Sequence, residues 1–276
     1  KLPKLPKVLS WAGTGGTINF SEMAAIYPDK RLVEVTVKEL VEDAQKKAMT
    51  VKIGNNNIEV KGTLKGNVCD LGKEFYYPGD LKVKHGRVVR IEPDGRSTEI
   101  NGKELTNRDE RLLDIVVAAY NNNESVVIDA ANPVRVDVLY GATCQRLGLN
   151  PQNKQANPNI RTLDARNEDK KTEIVEAFKT TLPMILIVTK NLFGIGTDVL
   201  VEDKVAQQAG NKGPLIISAD AAVDYLDEAQ YLARLGRNGQ PVRVMRLWSL
   251  EDKLFRQYPK LFKYALGILK KEAKDS

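Results

Sequence analysis

From residue 107 onward, short apolar runs alternate with segments of helical period, and this alternation limits the fold more than any other feature of the chain. "SVVIDA", "NIRTLDA", "PMILIVT", "PLIISA" and "VRVMRLW" have the length and β-branched content of buried strands. Between them lie "NPVRVDVLYGATCQRLG", "EDKKTEIVEAFKT" and "VDYLDEAQYLARLG", where apolar residues recur at helical spacing. Repeated strand–helix alternation implies a parallel sheet with helices on both faces. The helix after "SVVIDA" has clear ends. Asn132 suits the N-cap, Pro133 the first helical position and Gly148 the residue past the end.

Residues from about 45 to 105 have a different texture. "MTVKIGNNNIEVKGTL" and "DLKVKHGRVVRIEPDGRSTEI" alternate apolar and polar residues, with "GNNN", "HG" and "PDG" as turn signals. This is the period and punctuation of β-hairpins. The C-terminal stretch "SLEDKLFRQYPKLFKYALGILKKEAKDS" is predicted helical with a break at Pro259. Its apolar stripe is expected either to pack on its own domain or to meet a partner segment.

The 276 residues suffice for one large domain, or one domain with an insertion. No apolar run approaches the roughly 20 residues that span a bilayer, and "VLSWAG" is too short for a signal peptide. The chain starts at Lys1, so a fragment or a processed product is expected. Cys69 and Cys144 lack metal spacing and are expected to be reduced thiols of a cytosolic protein. His85, the single histidine, falls in the turn "VKHGRV". Neither a zinc site nor a Ser-His-Asp or Cys-His centre is expected from one turn histidine. The net charge of +6 and the pI near 9.1 admit an anionic partner without choosing one.

Two glycine-rich stretches are candidate ligand loops. "AGTGGTI" has neither G-x-x-x-x-G-K-[ST] nor G-x-G-x-x-G spacing. It resembles the threonine-bearing turn of bacterial asparaginases, but the Thr-Asp-Lys constellation those enzymes need is not found. "NLFGIGTDVLVED" directly follows the strand "PMILIVT". Ligands of open parallel sheets sit at the carboxyl ends of strands. There Gly194 and Gly196 would admit close backbone approach, and Thr197 and Asp198 would supply polar groups. The alternative is an ordinary loop with a capping Asp. Further on, "QYLARLGRNGQ" carries Arg234 and Arg237 three residues apart, with Gly236 and Gly239 between and after them.

A strand followed by "GIGTD", and then Gln230, Arg234, Gly236 and Arg237 in the pattern Q-x-x-G-R-x-G-R, resembles motifs V and VI of superfamily-two helicases. Ala233 stands where that pattern has Gly. Within that group the chain is most similar to SecA preprotein-translocase ATPases. "LSWAGTGGTINFSEMAAIY" resembles their motif-III stretch, and "SVVIDAANPVRVDVLYGATCQRLGL" sits at the motif-IV strand and helix. "LDARNEDKKTEIV", "TKNLFGIGTDV" and "SLEDKLFRQY" resemble the segments that follow in order. Ile195 replaces the motif-V arginine, "ADAAVDYLDEAQ" lacks the polar residues usual before the motif-VI glutamine, and residues 45 to 105 have no counterpart.

The resemblance implies an α/β fold: a RecA-like parallel sheet with helices on both faces, plus a small β-rich insertion. Residues 1–44 would hold the tail of a first motor domain and a linker, and 45–106 the insertion. The second motor domain would span 107–257, and 258–276 a C-terminal helix. It also implies ATP or ADP with Mg²⁺, the Mg²⁺ ligands and phosphate loop lying in a missing N-terminal motor domain, and no metal ligands here. Arg234 and Arg237 would neutralise charge on the γ-phosphate, a role that can be worth about 10³ to 10⁵ in rate. Gln230 would position phosphate or water, and Asp198 would contact ribose or couple the domains. Such a chain would be inactive alone. Its partners would be the missing domain and a polypeptide substrate, with a membrane or translocation channel beyond. Its location would be the cytoplasm, including the membrane periphery. Two other readings remain: half of a nucleic-acid helicase, for which no aromatic–basic interleaving is present, and a non-catalytic interaction module. A solvated basic helix end is the plain alternative for the two arginines.

Overall fold

A computed structural model describes residues 48–53, 58–65, 68–189, 202, 213–221 and 240–275. Among them an eight-stranded sheet forms the centre of the molecule, in the order β1-β2-β3-β11-β10-β7-β9-β8. Its strands are β1 (Ala48–Ile53), β2 (Ile58–Lys65), β3 (Val68–Tyr76), β7 (Val126–Ala130), β8 (Ile160–Leu163), β9 (Ile185–Thr189), β10 (Leu215–Ser218) and β11 (Val242–Ser249). The six strands from β3 to β8 in that order run parallel. β1 and β2 extend the sheet antiparallel beyond β3. A second sheet consists of β4 (Leu81–Lys84), β5 (Arg87–Ile91) and β6 (Ser97–Thr98), all antiparallel.

The central strands are apolar on both faces because both faces are covered. Ile128, Ile187, Ile217 and Met245 pack with Leu112, Ile115, Val136 and Leu139 on one side. These belong to the helices α1 (Asn107–Asn121) and α2 (Pro133–Arg146). The alternate residues Val127, Leu186, Ile216 and Val244 pack with Ile174 and Phe178 of α3 (Lys171–Thr180) on the other side. This is the α/β, RecA-like parallel sheet with helices on both faces and an added small β-sheet that the sequence predicts.

Local chemistry sets the element ends. Asn132 accepts a hydrogen bond from Arg135 N (3.1 Å) and Pro133 opens α2, while Gly148 lies just past its end at φ +70°. His85 and Gly86 both have positive φ, which joins β4 to β5 through the two-residue turn the sequence marks. The terminal helical stretch breaks before Pro259, giving α4 (Lys253–Gln257) and α5 (Pro259–Asp275). Leu261, Phe262 and Ala265 of α5 join Trp248, Leu254, Leu81 and Val88 in a third apolar cluster. The helix thus docks on its own domain, and the same cluster fastens the small sheet to the end of β11. Among the described residues no helix is long and apolar enough to cross a membrane.

The β-textured stretch is divided between the two sheets. β3 pairs in parallel with β11 over Val68 to Tyr76, whereas β4 to β6 form the small sheet. Cys69 and Cys144 are both free thiols and both buried.

Candidate functional site

β7 and β10 are neighbours whose chains next join the sheet on opposite sides: β7 leads through α2 to β8, and β10 leads to β11. Between two such strands the carboxyl edge opens into the crevice where open α/β sheets hold ligands. Here the crevice contains a cavity of about 120 Å³, whose lining includes Ala130, Asn132, Arg108, Arg135, Asp220 and Asp252. A second cavity of about 520 Å³ adjoins it and opens outward between β5, the start of α2 and α4. Ile100, Ala131, Asn132 and Arg256 line both.

The inner cavity is walled by a buried ionic network. Arg108, in the first turn of α1, places Nη1 2.5 Å from Asp252 Oδ1 just after β11. Asp252 Oδ2 accepts from the Ser249 (2.9 Å) and Ala221 (3.1 Å) amides, tying together the ends of β11 and β10. Asp109 is the third residue of a capping box. Its carboxylate accepts from Thr106 N (2.7 Å) and Thr106 Oγ1 (2.9 Å). Arg135 Nη2 lies 2.6 Å from Asp109 Oδ1 but is poorly aligned for a hydrogen bond, so this contact is mainly ionic. Arg135 Nη1 donates to the carbonyls of Gly102 (3.1 Å) and Glu104 (3.0 Å). From the small sheet, Arg90 reaches Glu251 at 2.6 Å and also binds Glu104.

These environments displace proton affinities in opposite directions. Burial alone would raise the Asp109 carboxyl. The charges of Arg108 and Arg135 and the two Thr106 bonds outweigh it and hold Asp109 below the ordinary carboxylate range. Asp220 moves the other way. Its surface as a residue is half-buried, but its carboxyl group is surrounded by protein. Desolvation, then the negative charge of Asp252, and further that of Asp129, push it well above the usual range, against the pull of Arg108. Beside Asp252, Asp220 therefore favours its protonated form.

The arrangement is charge-matched: Arg108 of α1 meets Asp252, Arg135 of α2 meets Asp109, and Arg90 of β5 meets Glu251. No member is a strong nucleophile, and among the described residues no group of three acids, histidines or cysteines could hold a metal. What the geometry offers is ion recognition in a cleft roofed by the small sheet.

Arg234, Arg237, Gln230, Gly194, Gly196, Thr197 and Asp198 all lie outside the described residues. By connectivity, residues 190–200 continue from the carboxyl end of β9, and residues 222–239 join β10 to β11. No motif marks the network residues in the sequence, although a weaker signal is present. Asp129, Asp220 and Asp252 each sit at or just past the end of an apolar run, in "VVIDA", "IISAD" and "WSLED". An acid there belongs to the carboxyl edge of a parallel sheet. No protein-family model matches the chain, and no curated protein matches it at a significant level.

Proposed function

We propose that the chain is the second RecA-like domain of a SecA-like, ATP-driven motor that acts on polypeptide. In this reading ATP with Mg²⁺ is held mainly by a phosphate-loop domain outside these 276 residues. Arg234 and Arg237 reach its γ-phosphate, Gln230 positions phosphate or water, and Gly194, Gly196, Thr197 and Asp198 form the facing loop. The observation that carries it is the agreement between motif order and sheet order. The string "GIGTD" follows β9, the arginine string falls between β10 and β11, and all three strands belong to a RecA-like parallel sheet. Arginine suits the role because it stays charged and grips phosphate oxygens with a planar fork. The protein would work in the cytoplasm, including at the membrane periphery beside a translocation channel.

The test is ATP hydrolysis by the protein that carries both domains. Arg234→Ala and Arg237→Ala are each expected to lower kcat by about 10³ or more, with unfolded polypeptide and not RNA stimulating the parent. Unchanged hydrolysis in both variants would leave an interaction module on a motor scaffold. Stimulation by RNA alone would move the assignment to a nucleic-acid helicase.

A further inference from the structure

We propose that the outer cavity binds the phosphoryl group of a small molecule, with Arg256 as its anchor and Lys253 and Arg87 as flanking cations. Three other arginines at the carboxyl edge are answered by carboxylates: Arg90 by Glu251 and Glu104, Arg108 by Asp252, and Arg135 by Asp109. Arg256 differs. Its Nη1 donates to the Ile100 carbonyl at 2.9 Å, and its Nε is buried with no hydrogen-bond partner. Among the described residues no carboxylate lies within ion-pair distance of it. A half-buried cation with no carboxylate against it among the described residues retains its field, which favours an incoming anion.

The surroundings indicate which anion. Arg256 lines both cavities, at their junction. Lys253 precedes it by three residues on α4, and such spacing places two side chains on one side of a helical turn. Arg87 approaches from β5 and is paired at 2.8 Å with Glu99, the one carboxylate among the described residues of the outer lining. Three cations against one carboxylate leave two positive charges, which match the charge of about −1.5 to −2 on a phosphate monoester. A simple carboxylate would neutralise only half of that. Asn132, the N-cap of α2, lines the same cavity, so the positive end of that helix adds to the field. The volume of about 520 Å³ falls in the range of small-molecule sites. The proposal uses no residue of the proposed motor centre and does not depend on that reading.

The experiment is calorimetric titration of the chain with inorganic phosphate, and separately with acetate, at constant ionic strength near neutral pH. Saturable phosphate binding is expected, with acetate at least about tenfold weaker. Arg256→Gln and Lys253→Gln should each weaken phosphate by about tenfold or more. Arg146→Gln, at the far end of α2, should leave it unchanged. Lys253 is exposed, so its variant reports on binding even if Arg256→Gln loosens the contact with Ile100. The proposal is overturned if phosphate does not saturate, if acetate binds equally well, or if Lys253→Gln and folded Arg256→Gln bind like the parent. Binding that survives both substitutions but is lost in Arg234→Ala would place the anion at the motor arginines and overturn it as well.

Discussion

Arg108 Nη1 and Asp252 Oδ1 lie 2.5 Å apart, joining the first turn of α1 to the end of β11 across 144 residues of sequence. Both side chains are almost fully buried, at 7% and 2% exposure. Such a pair adds little net stability over a well-packed apolar substitute, yet breaking it on one side is costly. Its value here is positional, since Asp252 also holds the Ser249 and Ala221 amides.

Asp252→Ala is therefore expected to destabilise the fold by about 3–5 kcal/mol in urea unfolding. Arg108→Met should cost less, because Asp252 would keep two amide donors, whereas Asp252→Ala strands both amides and a buried guanidinium. Equal losses, or a loss under about 1 kcal/mol for Asp252→Ala, would show that water replaces the pair.

Asp220 and Asp109 give stability a two-sided dependence on pH. The Asp220 carboxyl is raised in the folded state by burial and by the charges of Asp252 and Asp129, against Arg108. Its contribution is therefore full below the ordinary Asp value near 3.8 and is lost as pH rises through the raised value. Asp109 is lowered, and so is Asp164, chiefly by its hydrogen bond from Arg166. Their contributions are present above the ordinary value and are lost as pH falls through the lowered ones. Asp220→Asn should remove the decline on the alkaline side and leave the acid side intact. Urea midpoints from about pH 2 to about pH 8 for parent and variant would show it, and parallel curves would refute it.

Much of this fold was legible because burial on both faces leaves a plain mark on the sequence. The runs that form β7, β9 and β10 are almost unbroken in apolar residues and buried nearly throughout, and β11 is buried although Arg243 and Arg246 interrupt it. Asn132 with Pro133, His85 with Gly86, and Pro259 act through their immediate neighbours, so they too could be read locally. Pairing could not. The alternation in β3 indicates a strand but not its partner, and hairpin texture gave no hint of a parallel pairing with β11. The same limit hid the candidate site. Arg108, Arg135 and Asp252 come from three separate elements, and nothing in their spacing announces that the sheet order brings them together. The residues the sequence marked most strongly, Arg234 and Arg237, lie outside the described part.

A second buried pair closes the opposite, amino edge. Glu124 Oε2 and Arg243 Nη2 lie 2.8 Å apart at 1% and 4% exposure, and Arg243 Nη2 also donates to the Gly213 carbonyl at 3.1 Å. Glu124→Gln would leave the guanidinium buried without its counter-charge. The expected loss is about 3–5 kcal/mol by thermal or urea unfolding. Arg243→Met added to it should recover part of the loss, because the uncompensated charge is then gone. A double variant as unstable as the sum of the two singles would mean that the residues act independently.

Gly213 and Gly141 predict opposite responses to the same substitution. Gly213 precedes β10 at φ +67°, and a Cβ there would fall 1.7 Å from the Pro241 carbonyl oxygen. The obstructing Pro241 atoms are backbone, so relief requires pulling β10 and β11 apart where they begin to pair. The positive φ alone costs an L-residue about 1–3 kcal/mol, and the overlap about 1–3 kcal/mol more. Gly141 lies inside α2, and a Cβ on it would meet nothing within 4 Å. There a methyl group restricts the unfolded chain without a clash, a gain of about 0.5–1 kcal/mol. Gly213→Ala should thus lower the unfolding midpoint sharply, and Gly141→Ala should raise it. Urea denaturation of the two variants beside the parent decides the matter. A neutral Gly213→Ala would mean that the start of β10 does not press against Pro241 as described.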